Sequence, residues 1–222
     1  MVRLENVTKR FPIRGGYNYV ARNLTFEFPA GKSVGLLGRN GAGKSTMLNM
    51  IAGLIQPTSG EITIKGSISW PVGFAGSFHR ELTGAQNTRF LARIYGVDTS
   101  QLIDFVQDFS ELGKQFFEPL RTYSSGMRSR LAFGVSMGIH FDTYLIDEIT
   151  AVGDAAFRTK AERVFTDRME QSGAIFVSHG ISEVIRICDA VAVLEYGGLR
   201  YFRDVEAGIE QHKRNMKRRS DI

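Results

Sequence analysis

Between Gly38 and Ser45 the sequence reads Gly-Arg-Asn-Gly-Ala-Gly-Lys-Ser, a run whose residue types and spacing are those of a phosphate cradle. It fits the pattern G-x-x-x-x-G-K-[ST]. Glycines let such a loop curl until several backbone N–H groups converge on one point, and the positive end of a following helix adds to that point. Gly38, Asn40, Gly41 and Gly43 would supply the curled backbone. Lys44 would reach the β- and γ-phosphates of a nucleotide, the Ser45 hydroxyl would bind Mg²⁺, and Thr46 would add a phosphate contact. The flanks suit this reading, because the apolar stretch SVGLL precedes the loop and the helical pattern STMLNMIAGLI follows it.

A second set of reactive residues lies about a hundred positions on. TYLIDE at 143–148 is an apolar strand ending in two acids. Asp147 at its tip suits a Mg²⁺ shell, and Glu148 is placed to take a proton from an attacking water. Upstream, Tyr123-Ser124-Ser125-Gly126-Met127-Arg128 opens a helical pattern. A serine and a glycine there make either a plain helix cap or a second anion-binding end. AIFVSHG is a further short strand, ending at His179.

These groups need a scaffold, and the rest of the chain supplies its outline. RLENVTKRF and NLTFEFPAG read as strands, and GEITIKGSISW as two short strands broken at Gly66. From about residue 83 to 139 the periodicity is helical. Short buried strands then alternate with helices up to LRYF, which predicts a parallel sheet covered by helices. The length of 222 residues suits one domain with subdomains rather than two independent domains. The helical stretch at about 74–139 is expected as an insertion at one end of the sheet, and a basic helix is expected at about 204–219.

Composition narrows the function classes. No window approaches the roughly 18 apolar residues of a membrane span, and the N-terminus lacks a signal-peptide core. The expectation is a cytosolic protein whose membrane role, if any, passes through a partner. Cys188 is the only cysteine, which excludes an internal disulfide and a thiolate metal cluster. Part of the net charge of +5 is concentrated in HKRNMKRRSDI. Such a tail suits either a solvated helix end or contact with an anionic surface.

Taken in order, the phosphate loop, the YSSGM segment, the acid pair and the histidine resemble the ABC transporter ATPases over nearly the whole chain. The resemblance implies an α/β fold, a P-loop NTPase (RecA-like) core with an antiparallel β subdomain and a helical subdomain. It implies ATP and Mg²⁺ as ligands, Glu148 and His179 as catalytic residues, and Ser45 and Asp147 at the metal. Ser124 and Gly126 match the family's signature, although Tyr123, Ser125 and Met127 depart from its commonest form. Asp154 falls at the aspartate of the D-loop, a dimer-interface position. Phe11 matches the aromatic that stacks on adenine, with Tyr17 and Tyr19 as competitors. The implied assembly is a head-to-tail pair of identical chains, each ATP lying between one copy's Lys44 and the other copy's Ser124 and Gly126.

One family element is missing. The Q-loop glutamine should follow the strand ending at Trp70, but Gly73 stands near its position. Gln86 lies too far along to replace it and His79 is a weak substitute. The segment SWPVGFAGSFHRELTGAQNTRFLARIYG, with YSSGM and DEITAVGD, resembles the branch that exports cell-surface polysaccharides. Capsular polysaccharide is the nearest match, ahead of O-antigen and teichoic acid. Because the chain stops at Ile222, the expectation is that it carries no C-terminal glycan-reading domain. The implied partners are an integral membrane channel subunit, which would dock a cytoplasmic helix near Phe78, Leu82 and Phe90, and other envelope export proteins, with no nucleic acid. The implied location is peripheral, on the cytoplasmic face of the inner membrane. A soluble ABC-type ATPase of ribosome or DNA work and a small-molecule kinase are the competing readings.

Overall fold

A computed structural model describes residues 1–73, 78–147, 154–178 and 180–217. The chain divides into two units, one of Met1–Pro71, Phe141–Glu148 and Met169–Ile222, the other of Val72–His140 and Ile149–Arg168.

In the first unit, β1 (Val2–Ile13) and β2 (Gly16–Phe28) form a long hairpin, followed by β3 (Ser33–Leu37), helix α1 (Lys44–Ile51), β4 (Ser59–Ile64) and β5 (Ile68–Pro71). The break at Gly66 separates strands of different sheets. β4 joins a three-stranded antiparallel sheet ordered β2-β1-β4, while β5 opens a six-stranded sheet. The second unit holds α2 (Gly84–Tyr95), α3 (Thr99–Ser110), two short 3₁₀ turns, α4 (Ser125–Gly138) and, after β6 (Thr143–Asp147) in the first, α5 (Ala155–Met169). The first unit is completed by β7 (Gly173–Val177), α6 (Ile181–Ile187), β8 (Ala190–Glu195), β9 (Gly198–Phe202) and α7 (Val205–Lys217).

The large sheet runs β5-β6-β7-β3-β8-β9. Its inner strands are parallel and covered on both faces, which is why SVGLL and GAIFV are buried at every position. On one face Val34, Leu36, Leu145, Ile175 and Val177 form a core with Met47, Leu48 and Ile51 of α1 and with Leu4, Val7 and Phe28 of the hairpin. Each of those α1 side chains contributes about 1.5–3 kcal/mol by leaving water. On the other face Gly35 lies against Val184 and Cys188 of α6 and its C-cap.

The last strand departs from the parallel expectation. β9 pairs antiparallel with β8, because Tyr196 (φ 48°) and Gly197 (φ 77°) make a two-residue turn between Glu195 and Gly198. Two successive positive φ angles give the tight turn whose twist matches a hairpin.

In the second unit a capping box starts α2, with Thr83 and Gln86 each accepting the other's backbone N–H. The buried face of α2 is made of small and polar residues, Gly84, Ala85, Asn87 and Thr88, before Leu91 and Ala92. Gly134 and Gly138 let α4 approach α3, since a Cβ at Gly138 would lie 2.5 Å from the Leu102 Cδ1. Rings of Phe105, Phe109 and Phe133 stack through α3 and α4, and Phe157 of α5 meets Phe109 edge-on.

Candidate nucleotide site

The phosphate loop joins the carboxyl end of β3 to α1. Gly43 is the N-cap of α1 with φ 100°, and a Cβ there would fall 2.2 Å from the Val20 Cγ1. Gly38 is excluded from bearing a side chain for a different reason, the Leu194 carbonyl oxygen 2.6 Å from where its Cβ would stand. The hairpin and β8 thus grip the loop from two sides at its glycines. Among the described residues no side chain caps α1, whereas Thr83, Asp98 and Ser124 cap α2, α3 and α4. The first-turn N–H groups of α1 are therefore not taken up by a cap and remain suited to an anion.

Lys44 is buried, and its ammonium donates to the carbonyls of Gly38 at 2.9 Å and Arg39 at 3.1 Å. The loop holds its own lysine against its backbone, beside the Ser45 side chain, which is exposed, and the half-buried Thr46. Next to the loop is a cavity of about 330 Å³ walled by Tyr17, Tyr19, Arg22, Arg39, Asn40 and Tyr196, among others. Phe11 is not one of its walls. It lies opposite Asn18, which is, and the Lys9 ammonium sits 5.1 Å from its ring centre. The Tyr17 and Tyr19 rings are covered by guanidinium groups, Arg10 at 4.0 Å and Arg22 at 4.2 Å.

Asp147 ends β6, level with Val177 of β7. Since β6, β7 and β3 are successive neighbours, the carboxyl ends that bear Asp147, Ser178 and the phosphate loop share one edge of the sheet. Ligands of open α/β sheets bind at that edge. Ser178 donates to the Glu183 carboxylate at 2.6 Å and accepts from the Gly180 N–H at 2.9 Å, which braces the segment on either side of residue 179. Glu148 and His179 themselves lie outside the described residues.

In the second unit Ser124 caps α4 by accepting from the Met127 N–H at 3.2 Å. Ser124 and Gly126 are both exposed, and among the described residues only the Ser124 Oγ, at 3.9 Å, comes within 4 Å of a Cβ built on Gly126. Tyr123 is buried, and its hydroxyl donates to the Gln115 carbonyl at 2.7 Å. Burial pushes that phenol up to about 12. Asp154 accepts the Phe157 N–H at 3.0 Å at the start of α5 and pairs with Arg130 of α4 at 2.9 Å. The Phe157 N–H first, and then the guanidinium, hold its carboxyl below the usual aspartate value.

A profile of the ABC transporter family matches residues 21–151. The chain belongs to the ABC transporter family. It is 46% identical to the polysialic acid transport ATP-binding protein KpsT of Escherichia coli, over 96% of each chain. It is 43% identical to the capsule polysaccharide export ATP-binding protein CtrD of Neisseria meningitidis serogroup B, over 96% of this chain and 98% of that one. Among solved structures, the ATP-binding cassette MJ0796 bound to ADP and Pi superposes with a TM-score of 0.74 at 24% identity, covering 90% of this chain and 97% of that one. The fold is that of the ABC ATPases, a RecA-like core with an antiparallel sheet and a helical part.

Within this ABC chain the structure accounts for some of the departures from the family pattern. Gly73, near the Q-loop glutamine position, has φ 82°, and among the described residues nothing lies within 4 Å of where its Cβ would stand. Gln86 is committed to the cap of α2, and the His79 imidazole Nδ1 accepts from the Glu81 N–H at 3.3 Å. Sequence reasoning missed Arg130, which bridges Asp154 and Glu111 and lies 4.4 Å from the centre of the Phe157 ring. Its partners are distant in sequence and gave no local signal. It also missed Ile94 and Phe117, which are exposed along with the expected Phe90, while Phe78 and Leu82 are half-buried.

Proposed function

We propose that this chain is the ATP-hydrolysing subunit of an exporter that moves a lipid-linked capsular polysaccharide across the inner membrane. The observation that carries the nucleotide part is the shared edge of β3, β6 and β7, bearing the phosphate loop, Asp147 and Ser178. Similarity at full length to capsule export ATP-binding proteins supports the cargo.

Phosphates settle on the uncapped N-terminus of α1, and Lys44 exchanges its loop carbonyls for the β- and γ-phosphate oxygens. The adenine rests on an aromatic at the cavity, Tyr17 or Tyr19 in its wall or Phe11 at its border. Mg²⁺ suits the hard oxygen donors offered, the exposed Ser45 hydroxyl and the Asp147 carboxylate. Mg²⁺ is commonly held by one or two protein oxygens together with substrate phosphates and water. When bound, the cation offsets charge on the phosphate oxygens. Glu148 takes the proton of the attacking water and His179 contacts the γ-phosphate.

The open space before Ser124 and Gly126 is filled by the nucleotide of a second copy, which makes the working form a head-to-tail pair with Asp154 at its interface. Among the described residues no helix is long and apolar enough to cross a membrane. The chain works beneath an integral membrane channel subunit. Phe90 and Ile94, one turn apart on α2, and Phe117 in the turn Gly113–Phe117 offer that subunit an apolar surface. The chain then works as a peripheral subunit on the cytoplasmic face, alongside further envelope export proteins.

ATP affinity of Lys44→Ala tests the nucleotide assignment. A charge-assisted bond is worth about 1.5–3 kcal/mol, so binding should weaken roughly 10- to 150-fold. Unchanged affinity in a folded variant contradicts the assignment.

A further inference from the structure

Helix α7 rests on the first unit through a close approach that requires glycine. A Cβ at Gly208 would stand 2.7 Å from the Val191 Cβ, and Ile209 beside it is buried. So docked, α7 runs its last turn to the phosphate loop. There the Arg39 guanidinium donates to the carbonyls of Met216 at 3.3 Å and Asn215 at 3.5 Å. Those carbonyls lie in the turn of α7 that ends at Lys217, and a backbone carbonyl carries partial negative charge that a guanidinium can meet. Within α7 the Gln211 amide donates to the Asn215 side chain at 2.7 Å, which helps to fix that turn.

Arg39 is placed to do something else as well. It is a wall of the cavity beside the loop, and its own carbonyl is one of the two that hold Lys44. A triphosphate entering this cavity brings several full negative charges, against the partial charges of two backbone carbonyls. Guanidinium binds phosphate in two-pronged geometry, so the stronger anion takes it.

We propose that Arg39 is a shared ligand, holding either the Asn215 and Met216 carbonyls of α7 or the phosphates of a bound nucleotide, and not both at once. Nucleotide binding and α7 docking then compete for one side chain. The basic end of α7, with Lys213, Arg214 and Lys217, is released in the nucleotide-bound state and reports loop occupancy to whatever lies near it. The inference rests on the nucleotide reading given above, and it adds a nucleotide-binding residue and a competing element to it.

The test is a cycle of four full-length chains: wild type, Asn215→Pro, Arg39→Ala and the double variant. Proline at 215 distorts the last turn and displaces its carbonyls while the charge of the tail is kept. Affinity for a fluorescent ATP analogue is measured with Mg²⁺. Asn215→Pro should tighten binding about two- to fivefold, the size of one charge at an exposed helix end. Arg39→Ala should weaken it, and in that background Asn215→Pro should change nothing. Gly208→Leu, which lifts α7 near its start, should act in the same direction as Asn215→Pro. By reciprocity ATP should speed amide exchange at 213–217 in the wild type and not in Arg39→Ala. An effect of Asn215→Pro that is absent, reversed or equal in both backgrounds overturns the competition while leaving ATP binding intact. Failure of the wild type to bind the analogue overturns the nucleotide reading and this inference with it.

Discussion

Gly43→Ala is the sharpest test of why the phosphate loop has the residues it has. Two penalties meet at that position. A φ of 100° costs an alanine about 1–2 kcal/mol, and a Cβ 2.2 Å from the Val20 Cγ1 forces a shift worth about 1–3 kcal/mol. The sum, about 2–5 kcal/mol, is a large part of the stability of an ordinary domain. The same shift misaligns the start of α1, so ATP affinity should fall with stability. The two penalties can be separated with Val20→Ala, which removes both γ-methyls and alone costs about 1.6 kcal/mol. Urea denaturation of the wild type, both single variants and the double variant gives the coupling. If the clash is real, the double variant should be about 1–3 kcal/mol more stable than the sum of the two single losses requires. Additivity within about 0.5 kcal/mol would refute the contact between hairpin and loop as the reason for glycine.

Two further outcomes follow from the site and its surroundings. Of Phe11→Ala, Tyr17→Ala and Tyr19→Ala, the one that removes the adenine platform should raise the dissociation constant for ATP about 2- to 12-fold while leaving that for inorganic triphosphate unchanged, as binding assays with both ligands will read. Cys188, whose thiol burial pushes up to about 12 from the model-peptide value of 9.0, should resist iodoacetamide at pH 8.5 in the folded chain and react in urea. Its folded value is the higher one, so the unfolded chain releases the proton first. Its contribution to stability therefore falls as pH rises from about 9 to 12, which urea titrations at pH 8 and 10 compared with Cys188→Ala will read.

The parts of the fold legible in the sequence were those with local physical signatures. The all-apolar strands SVGLL and AIFV, the glycine-rich turn and the acid ending TYLID carry their meaning within a few residues. The direction of β9 does not, because an apolar strand reads alike in either sense; the hint was the Tyr196-Gly197 turn. On α2 the usual inference runs backwards, since Gly84, Ala85, Asn87 and Thr88 face inward while Phe90 and Ile94 stay exposed. Close packing selected small residues there, and hydrophobicity alone points the helix the wrong way. The Arg130–Asp154 pair and the reach of α7 to Arg39 depend on residues brought together over 24 and 177 positions, which no motif records.

The coupling of ATP turnover by this chain to polysaccharide export is the step on which the proposed function depends. It is tested most directly by replacing the chromosomal copy with Glu148→Gln and measuring surface polysaccharide against polysaccharide retained inside. Loss of a general base should slow hydrolysis about 10²- to 10⁴-fold while leaving ATP bound. Polysaccharide should be lost from the surface and accumulate inside the cell. An unchanged surface, with hydrolysis abolished in the purified variant, would contradict it.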